Sequence, residues 1–405
     1  MRNLHLGIIR EEKTPPDSRV ALTPQQCAEM LKKYPGLEIK VQSSATRCYT
    51  DDEYRSASIA VVDDVSDCDV LIGIKEVPVD KLVANKTYLI FSHTHKKQAH
   101  NRKLLQAVLD KNIHLIDYEL LTDEQGIRVI AFGYYAGLVG AHNAIMTWGK
   151  RKGGFELGRA HTYHDFEELK QVYQSLKLPP MKIVVTGAGR VAKGVVEVLD
   201  LMNIERIDPD DFLEIEEVNK PIYTQVDSDR LYAHNYCMPF TFKHFFSHPQ
   251  EYHSMFRPFY ESADLMINAI YWDQKAPRFF TKQEMDSPDF RIEVIADITC
   301  DIEGSVPSTI RSTTIAEPIM GYDPHTGKET KPFTSNSIDI MAIDNLPNEL
   351  PRDASQAFGQ MLGDHVLDEL LGAKEGNMIS RATIAENGQL AERFKYLKGF
   401  LEGKS

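Results

Sequence analysis

Several polar side chains stand where an apolar run ends, and their types suit proton transfer and the holding of anions. Lys75 follows VLIGI, His93 follows LIFS, Glu119 closes HLIDYE and Arg128 opens RVIAFG. Ligands of open parallel sheets bind outside the carboxyl ends of the strands, so reactive groups are expected at these positions. A buried lysine or a histidine can be tuned toward neutrality and can carry a proton as a C–N bond is made or broken. Each also has a plainer reading: Lys75 beside Glu76 as a solvated strand end, or His93 as a satisfied structural histidine. His95 is an alternative to His93 that side-chain chemistry alone does not separate. Lys96 and Lys97, in HTHKK, suit an anion or a solvated helix start.

A second constellation lies in KIVVTGAGRVAKGVVEVL, where a strand runs directly into glycines and then a helix. The spacing supplies the GxGxxA pattern as Gly187, Gly189 and Ala192. The first small residue permits a tight turn, the second lets backbone approach a pyrophosphate, and the third lets helix and strand pack closely. The first helical residues, Arg190, Val191 and Ala192, then turn their amides toward the phosphates. Asp227, ending IYTQVD, is the residue expected to accept from a ribose hydroxyl, which favours NAD and leaves NADP possible. Its distance from the turn requires an inserted helix around residues 209–217. Asp208 competes by spacing alone, and VDSD also reads as a simple turn.

The elements that must carry these residues alternate between apolar runs and helical periodicity. LHLGII, a helix opened by Thr23-Pro24, LEIKVQ, DVLIGIK, YLIFSH, a helix from Gln98 to Asp110, HLIDYE and RVIAFG predict a mostly parallel sheet. A linking helix from Tyr134 and a polar stretch lead to a second series: KIVVT, IYTQVD, DLMINAIY, EVIADIT and IDIMAID. A hairpin is expected around Pro324 to Gly327, and two C-terminal helices, near 353–371 and 382–401, are expected to return to the first domain. The predicted class is α/β: two Rossmann-like domains with parallel sheets separated by a cleft. Residues 1–133, completed by 346–405, form the substrate domain and residues 134–345 the dinucleotide domain.

The 405 residues, 42% hydrophobic and 26% charged, suit two ordinary globular cores. A net charge of −13 argues against nucleic acid as a partner. Five scattered cysteines without a CxxC pair suit neither a disulfide frame nor structural zinc, and no metal site is expected. The N-terminal stretch passes from a short apolar run into charges, unlike a signal peptide, and residues 129–146 carry His142, Asn143 and glycines unsuited to a membrane span. A cytoplasmic chain acting on small molecules is expected, with its oligomeric state open.

SRVALTP, IGIKEVP, FSHTHK and RVIAFGYYAG resemble the alanine dehydrogenase and saccharopine dehydrogenase (lysine-forming) superfamily. GAGRVAKG, INAIYWDQKAPRFFTKQ, ADITCDIEGS, TTIAEP and AIDNLPNELPRDAS narrow the resemblance to lysine–2-oxoglutarate reductases, the first half of a bifunctional lysine-degrading enzyme. The resemblance implies that Arg19 holds a substrate carboxylate and that Lys75 and His93 are the acid–base pair, tuned by Glu76 and Glu119. It implies that Lys96 and Arg128 contact further carboxylates and that Asp301, with Asp297 close by, faces the nicotinamide and substrate. Asn345 and Leu346 match the motif beside the nicotinamide. Asp227-Ser228-Asp229 departs from the Ser and Arg of the NADPH-using reductases and supports NADH. The implied substrates are an amino acid and a 2-keto acid, giving or consuming saccharopine by one of the bifunctional enzyme's two activities. An ammonia-using amino-acid dehydrogenase, an opine-type enzyme and a non-catalytic dinucleotide-binding protein are the rival readings.

Overall fold

The computed structural model describes residues 4–403 and divides into two compact units. One comprises the chain up to Phe132 together with the segment from Pro351 onward, and the other runs from Gly133 to Leu350. The first unit begins with six strands: β1 (Leu4–Ile8), β2 (Leu37–Gln42), β3 (Ala60–Val62), β4 (Val70–Ile72), β5 (Thr87–Ile90) and β6 (His114–Asp117). They pair in parallel in the order β6-β5-β4-β1-β2-β3. The short continuous apolar runs of β4 and β5 are what a parallel strand buried on both faces requires. Helix α1 (Pro24–Lys33) starts where read, with Thr23 and Gln26 forming a reciprocal capping box that satisfies two orphan N–H groups. Helix α2 (Arg102–Asp110) buries Leu104, Leu105 and Val108. The strand expected at RVIAFG is absent. Arg128 makes a single bridge with Thr122, Val129 N donates to Leu121 O at 3.0 Å, and residues 129–132 join no ladder.

The second unit opens with helix α3 (Gly133–Lys152), followed by β7 (Lys182–Thr186) and helix α4 (Arg190–Leu201). Next come β8 (Glu205–Arg206), β9 (Ile222–Val226), β10 (Tyr232–His234), β11 (Tyr252–Ser254), β12 (Leu265–Asn268) and β13 (Val294–Asp297). The series ends with β14 (Ile319–Asp323), β15 (Lys328–Thr330) and β16 (Ile338–Met341). The main sheet runs β15-β14-β16-β13-β12-β7-β9-β8, with β14 and β15 antiparallel as the expected hairpin. The His- and Phe-rich stretch from 231 to 261 forms the small β10–β11 ladder, which packs Tyr232, Phe245, Tyr252 and Phe256 together. Helices α3 and α4 meet through glycine. A Cβ on Gly137 would lie 1.9 Å from Val191 O, and one on Gly194 would lie 2.1 Å from Tyr134 O.

The chain's last segment adds helix α5 (Pro351–His365), whose Phe358 and Leu362 enter the first unit's core beside Met30 of α1. The helix expected at 382–401 is a different structure. Thr383–Glu386 (β17) and Gln389–Leu390 (β18) form a hairpin that pairs antiparallel with β6. Its turn is Asn387-Gly388, at φ 50° and 71°, the two positive-φ central positions that Asn-Gly favours in a two-residue hairpin. Among the described residues, no helix is long and apolar enough to cross a membrane.

The glycine contact yields a stability prediction. Gly194→Val must force α4 off the backbone of α3 and should cost about 3 kcal/mol in urea unfolding, whereas Gly189→Ala, whose Cβ meets nothing within 4 Å, should leave the midpoint in place.

Candidate active site

In the first unit β1 and β4 are neighbours whose connections leave in opposite directions, so a crevice opens at their carboxyl ends. Ladder pairing ends near Ile72, and the next backbone N–H groups need another acceptor. Glu11, just past β1, supplies it: its two carboxylate oxygens accept from Ile74 N at 2.6 Å and Lys75 N at 2.9 Å. Gly73 makes room, since a Cβ there would lie 3.1 Å from Glu11 Oε1. Burial, reinforced by Asp17, pushes the Glu11 carboxyl up to about 8 against those two donors.

Lys75 projects from this fixed strand end. Burial and then the Arg19 guanidinium lower the pKa of its ammonium. Arg19 is only 3% exposed and is gripped by Asp17 through Nε to Oδ1 at 2.9 Å and Nη2 to Oδ2 at 2.5 Å. Its guanidinium packs 4.2 Å over the Phe132 ring. Glu76 pairs with Lys13 at 2.6 Å; burial alone would raise it, and the Lys13 hydrogen bond holds it below its ordinary value.

A second buried carboxylate organises the neighbouring strand ends. Asp117, the last residue of β6, accepts on Oδ2 from Ser92 N at 3.0 Å, Ser92 Oγ at 2.6 Å and His93 N at 2.9 Å. Its Oδ1 accepts from Glu119 N at 2.8 Å. These bonds hold His93 at φ 52°, a left-handed conformation uncommon outside glycine and asparagine, so the ring reaches Glu119 with Nδ1 3.0 Å from Oε2. Lys96 meets the same carboxylate at 2.7 Å and Arg128 at 3.2 Å. Burial opposes ionisation of Glu119, yet the hydrogen bonds from His93 and Lys96 hold it well below the usual carboxylate range. Arg128 also lies 5.3 Å over the Phe91 ring, which is 6.0 Å from Phe132, so the Arg19 and Arg128 guanidiniums rest on adjacent rings of one aromatic cluster.

The structure therefore brings His93, Glu119, Lys96 and Arg128 into one hydrogen-bonded group, and sets Arg19 and Glu76 near enough to Lys75 to act on its charge. Glu11, Lys13, Asp17 and Asp117 escaped the reading of the sequence. The strand-end rule that selected Lys75 and His93 applies equally to Asp117 and, just past β1, to Glu11.

In the second unit Gly187 sits at φ 92°, and a Cβ there would lie 2.8 Å from Ile270 Cα. Gly189 caps α4 and faces open space, so the turn leaves backbone accessible where a pyrophosphate would lie, with the amides of Arg190, Val191 and Ala192 behind it. The residues fit a dinucleotide. A cavity of about 370 Å³ adjoins the turn, bordered by Val191, Ala269, Ile270, Trp272, Ile298 and Asp301. Burial and then Asp297 raise the Asp301 carboxyl. Asp227 directly follows β9, the strand beside β7, and its side chain accepts from Ser228 N at 2.8 Å, capping a short helix. Asp208 lies at the end of the edge strand β8 and caps residues 209–214. Asp297 is wholly buried, its oxygens accepting from Thr309, Thr299 and Asn268 at 2.6 to 2.8 Å, so it ties the ends of β12 and β13 together. Asn345 follows β16, and Leu346 is buried in the core.

The class defined is a pair of doubly wound α/β units, one with titratable side chains at its strand ends and one with a glycine turn of the dinucleotide-binding kind. The family described as alanine dehydrogenase/PNT, N-terminal domain, matches residues 7–139. A solved L-alanine dehydrogenase superposes with a TM-score of 0.66 at 16% identity, covering 99% of this chain and 100% of that one, which shows the shared fold. The mitochondrial alpha-aminoadipic semialdehyde synthase of Rattus norvegicus is 30% identical over 100% of the chain and 49% of its own length. A saccharopine dehydrogenase [NAD(+), L-lysine-forming] of Emericella nidulans is 28% identical over 87% of the chain and 89% of its own. The chain thus spans about half the length of the synthases it matches. Residues 7–139 thus match the alanine dehydrogenase/PNT N-terminal domain, and the chain as a whole is similar to the lysine-forming saccharopine dehydrogenases and to half of the longer synthases.

The depressed Glu119 carboxyl makes a pH prediction. Its stabilisation is fully present above the ordinary value of 4.5 and is lost as pH falls below it. Glu119→Gln should cost about 2 kcal/mol at neutral pH and flatten the acid limb of stability against pH, read by urea unfolding between acid and neutral pH.

Proposed function

We propose that the chain catalyses a reversible, NAD-dependent reductive condensation of an amine with a 2-keto acid, with lysine and 2-oxoglutarate as the pair and saccharopine as the product. The observation that carries this reading is a proton-transfer set beside surplus cations. Lys75, its proton affinity lowered, lies beside Arg19, and Lys96 and Arg128 converge on the carboxylate that holds His93. Saccharopine offers three carboxylates, which Arg19, Lys96 and Arg128 match in number, whereas pyruvate offers one. The names of the relatives support the same substrate class.

A bound nicotinamide supplies or accepts the hydride. Gly187, Gly189 and the amides of Arg190, Val191 and Ala192 receive its pyrophosphate, and Asp227 takes a ribose hydroxyl, which a 2′-phosphate would repel. Asp297, Asn345 and Leu346 shape the nicotinamide end, and Asp301 faces the substrate. Arg19, Lys96 and Arg128 orient substrate carboxylates. Glu119 engages His93 at Nδ1 and so leaves Nε2 as the atom that exchanges protons, while Lys75, whose hold on its proton is weakened by burial and Arg19, does so at Nζ. Between them they take the proton from the attacking amine and return one to the oxygen that departs as water. Glu76, tied to Lys13, sets the charge beside Lys75.

The test is a panel of nicotinamide oxidation with lysine plus 2-oxoglutarate against ammonia plus pyruvate, each with NADH and with NADPH. Turnover with lysine, 2-oxoglutarate and NADH is expected, and turnover with ammonia alone would sink the proposal. Lys75→Met should lower kcat by about a hundredfold or more while NADH binding persists. Unchanged turnover would remove Lys75 from proton transfer.

A further inference from the structure

His95 takes no part in the chemistry above, yet its Nδ1 is buried and has no hydrogen-bond partner among the described residues. The ring stands between two carboxylates, with Nδ1 3.7 Å from Asp117 Oδ2 and Nε2 3.7 Å from Glu119 Oε2. A neutral imidazole carries one N–H, so one of its nitrogens must turn a lone pair toward an anion, whereas an imidazolium offers an N–H to both. By distance these three side chains also resemble a metal site. Their oxygens are already committed, however: Asp117 accepts from Ser92, His93 and Glu119 N–H groups, and Glu119 is covered by His93, Lys96 and Arg128. The other groups facing this corner are Tyr396, whose hydroxyl donates to His95 O at 3.1 Å, and Lys97, 5.4 Å over the Tyr396 ring.

The charge on Glu119 is therefore met in this structure by Lys96 and Arg128, the two residues assigned above to substrate carboxylates. A substrate anion and Glu119 compete for the same cations. When the substrate wins, the buried Asp117 and the half-buried Glu119 are left facing His95, and their partial removal from water makes that uncompensated charge costly.

We propose that His95 couples proton uptake to substrate binding: as a substrate carboxylate draws Lys96 and Arg128 off Glu119, His95 takes a proton from solvent and its imidazolium bridges Asp117 and Glu119. The inference rests on the reading that Lys96 and Arg128 bind substrate. One proton moves from water to a ring nitrogen; no covalent bond to substrate forms and no electrons are transferred. The bound complex thereby keeps its charge balance, and Glu119 keeps a hydrogen bond to spare for His93.

The experiment is nitrogen NMR of the histidine rings at neutral pH in the full chain, with proton uptake followed by an indicator dye in weak buffer. Lys96→Met/Arg128→Met, which removes the cations without any ligand, should raise the imidazolium signal at His95 above that of wild type alone. Wild type saturated with 2-oxoglutarate should also show imidazolium and take up about one proton per chain, and His95→Gln should abolish that uptake. A neutral His95 in both the double variant and the 2-oxoglutarate complex, or undiminished uptake in His95→Gln, overturns the proposal. Should 2-oxoglutarate fail to bind while the double variant shows imidazolium, the coupling is supported and the substrate class alone falls. Should the double variant fail to fold, the wild-type complex and His95→Gln decide the matter.

Discussion

Parallel strands that stop inside a protein leave backbone N–H groups pointing into a space where water is scarce, and each needs an acceptor. In the first unit two carboxyl groups meet that need. Glu11 takes the N–H groups of Ile74 and Lys75, and Asp117 takes those of Ser92 and His93. Both therefore fix the backbone from which Lys75 and His93, the side chains proposed to transfer protons, project. The left-handed turn at His93 persists because Asp117 holds its N–H.

The same economy of charge shapes what surrounds them. Arg19 is held by Asp17 and flattened on Phe132, so its cation stands near Lys75 and makes a proton there harder to keep. Arg128 rests on Phe91 in the same aromatic cluster and meets Lys96 at Glu119. One carboxylate thus orients a histidine and occupies the two cations proposed to bind a substrate anion. In the second unit the corresponding strand ends are joined by neutral donors around Asp297, and the open face is the backbone of the glycine turn.

Much of this was legible in the residues. The turn at Gly187 and the strand ends at Lys75 and His93 follow from rules with a mechanical basis, and Thr23-Pro24 marked its helix start correctly. What escaped has physical reasons. Glu11 lies in REEK, where nothing local tells a solvated glutamate from one folded back onto Ile74 and Lys75. Asp117 looks like an ordinary strand terminator until the register of β5 and β6, which sets it against Ile90, brings its side chain to Ser92. The C-terminal hairpin was hidden because residues 382–401 carry a helical apolar spacing, and the Asn387-Gly388 pair, with its two positive φ angles, outweighed it. RVIAFG is apolar enough for a strand but finds no free sheet edge, since β17 occupies the outer side of β6.

Amide hydrogen exchange tests the central claim most directly, since it reads the strand-end bonds without reference to activity. The amides of Ile74, Lys75, Ser92 and His93 lie beyond the last ladder bonds of β4 and β5. If Glu11 and Asp117 hold them as described, they should be protected to the same degree as Leu71 and Leu89 within the strands. Rapid exchange at these four amides, with the strand interiors still protected, would contradict the account.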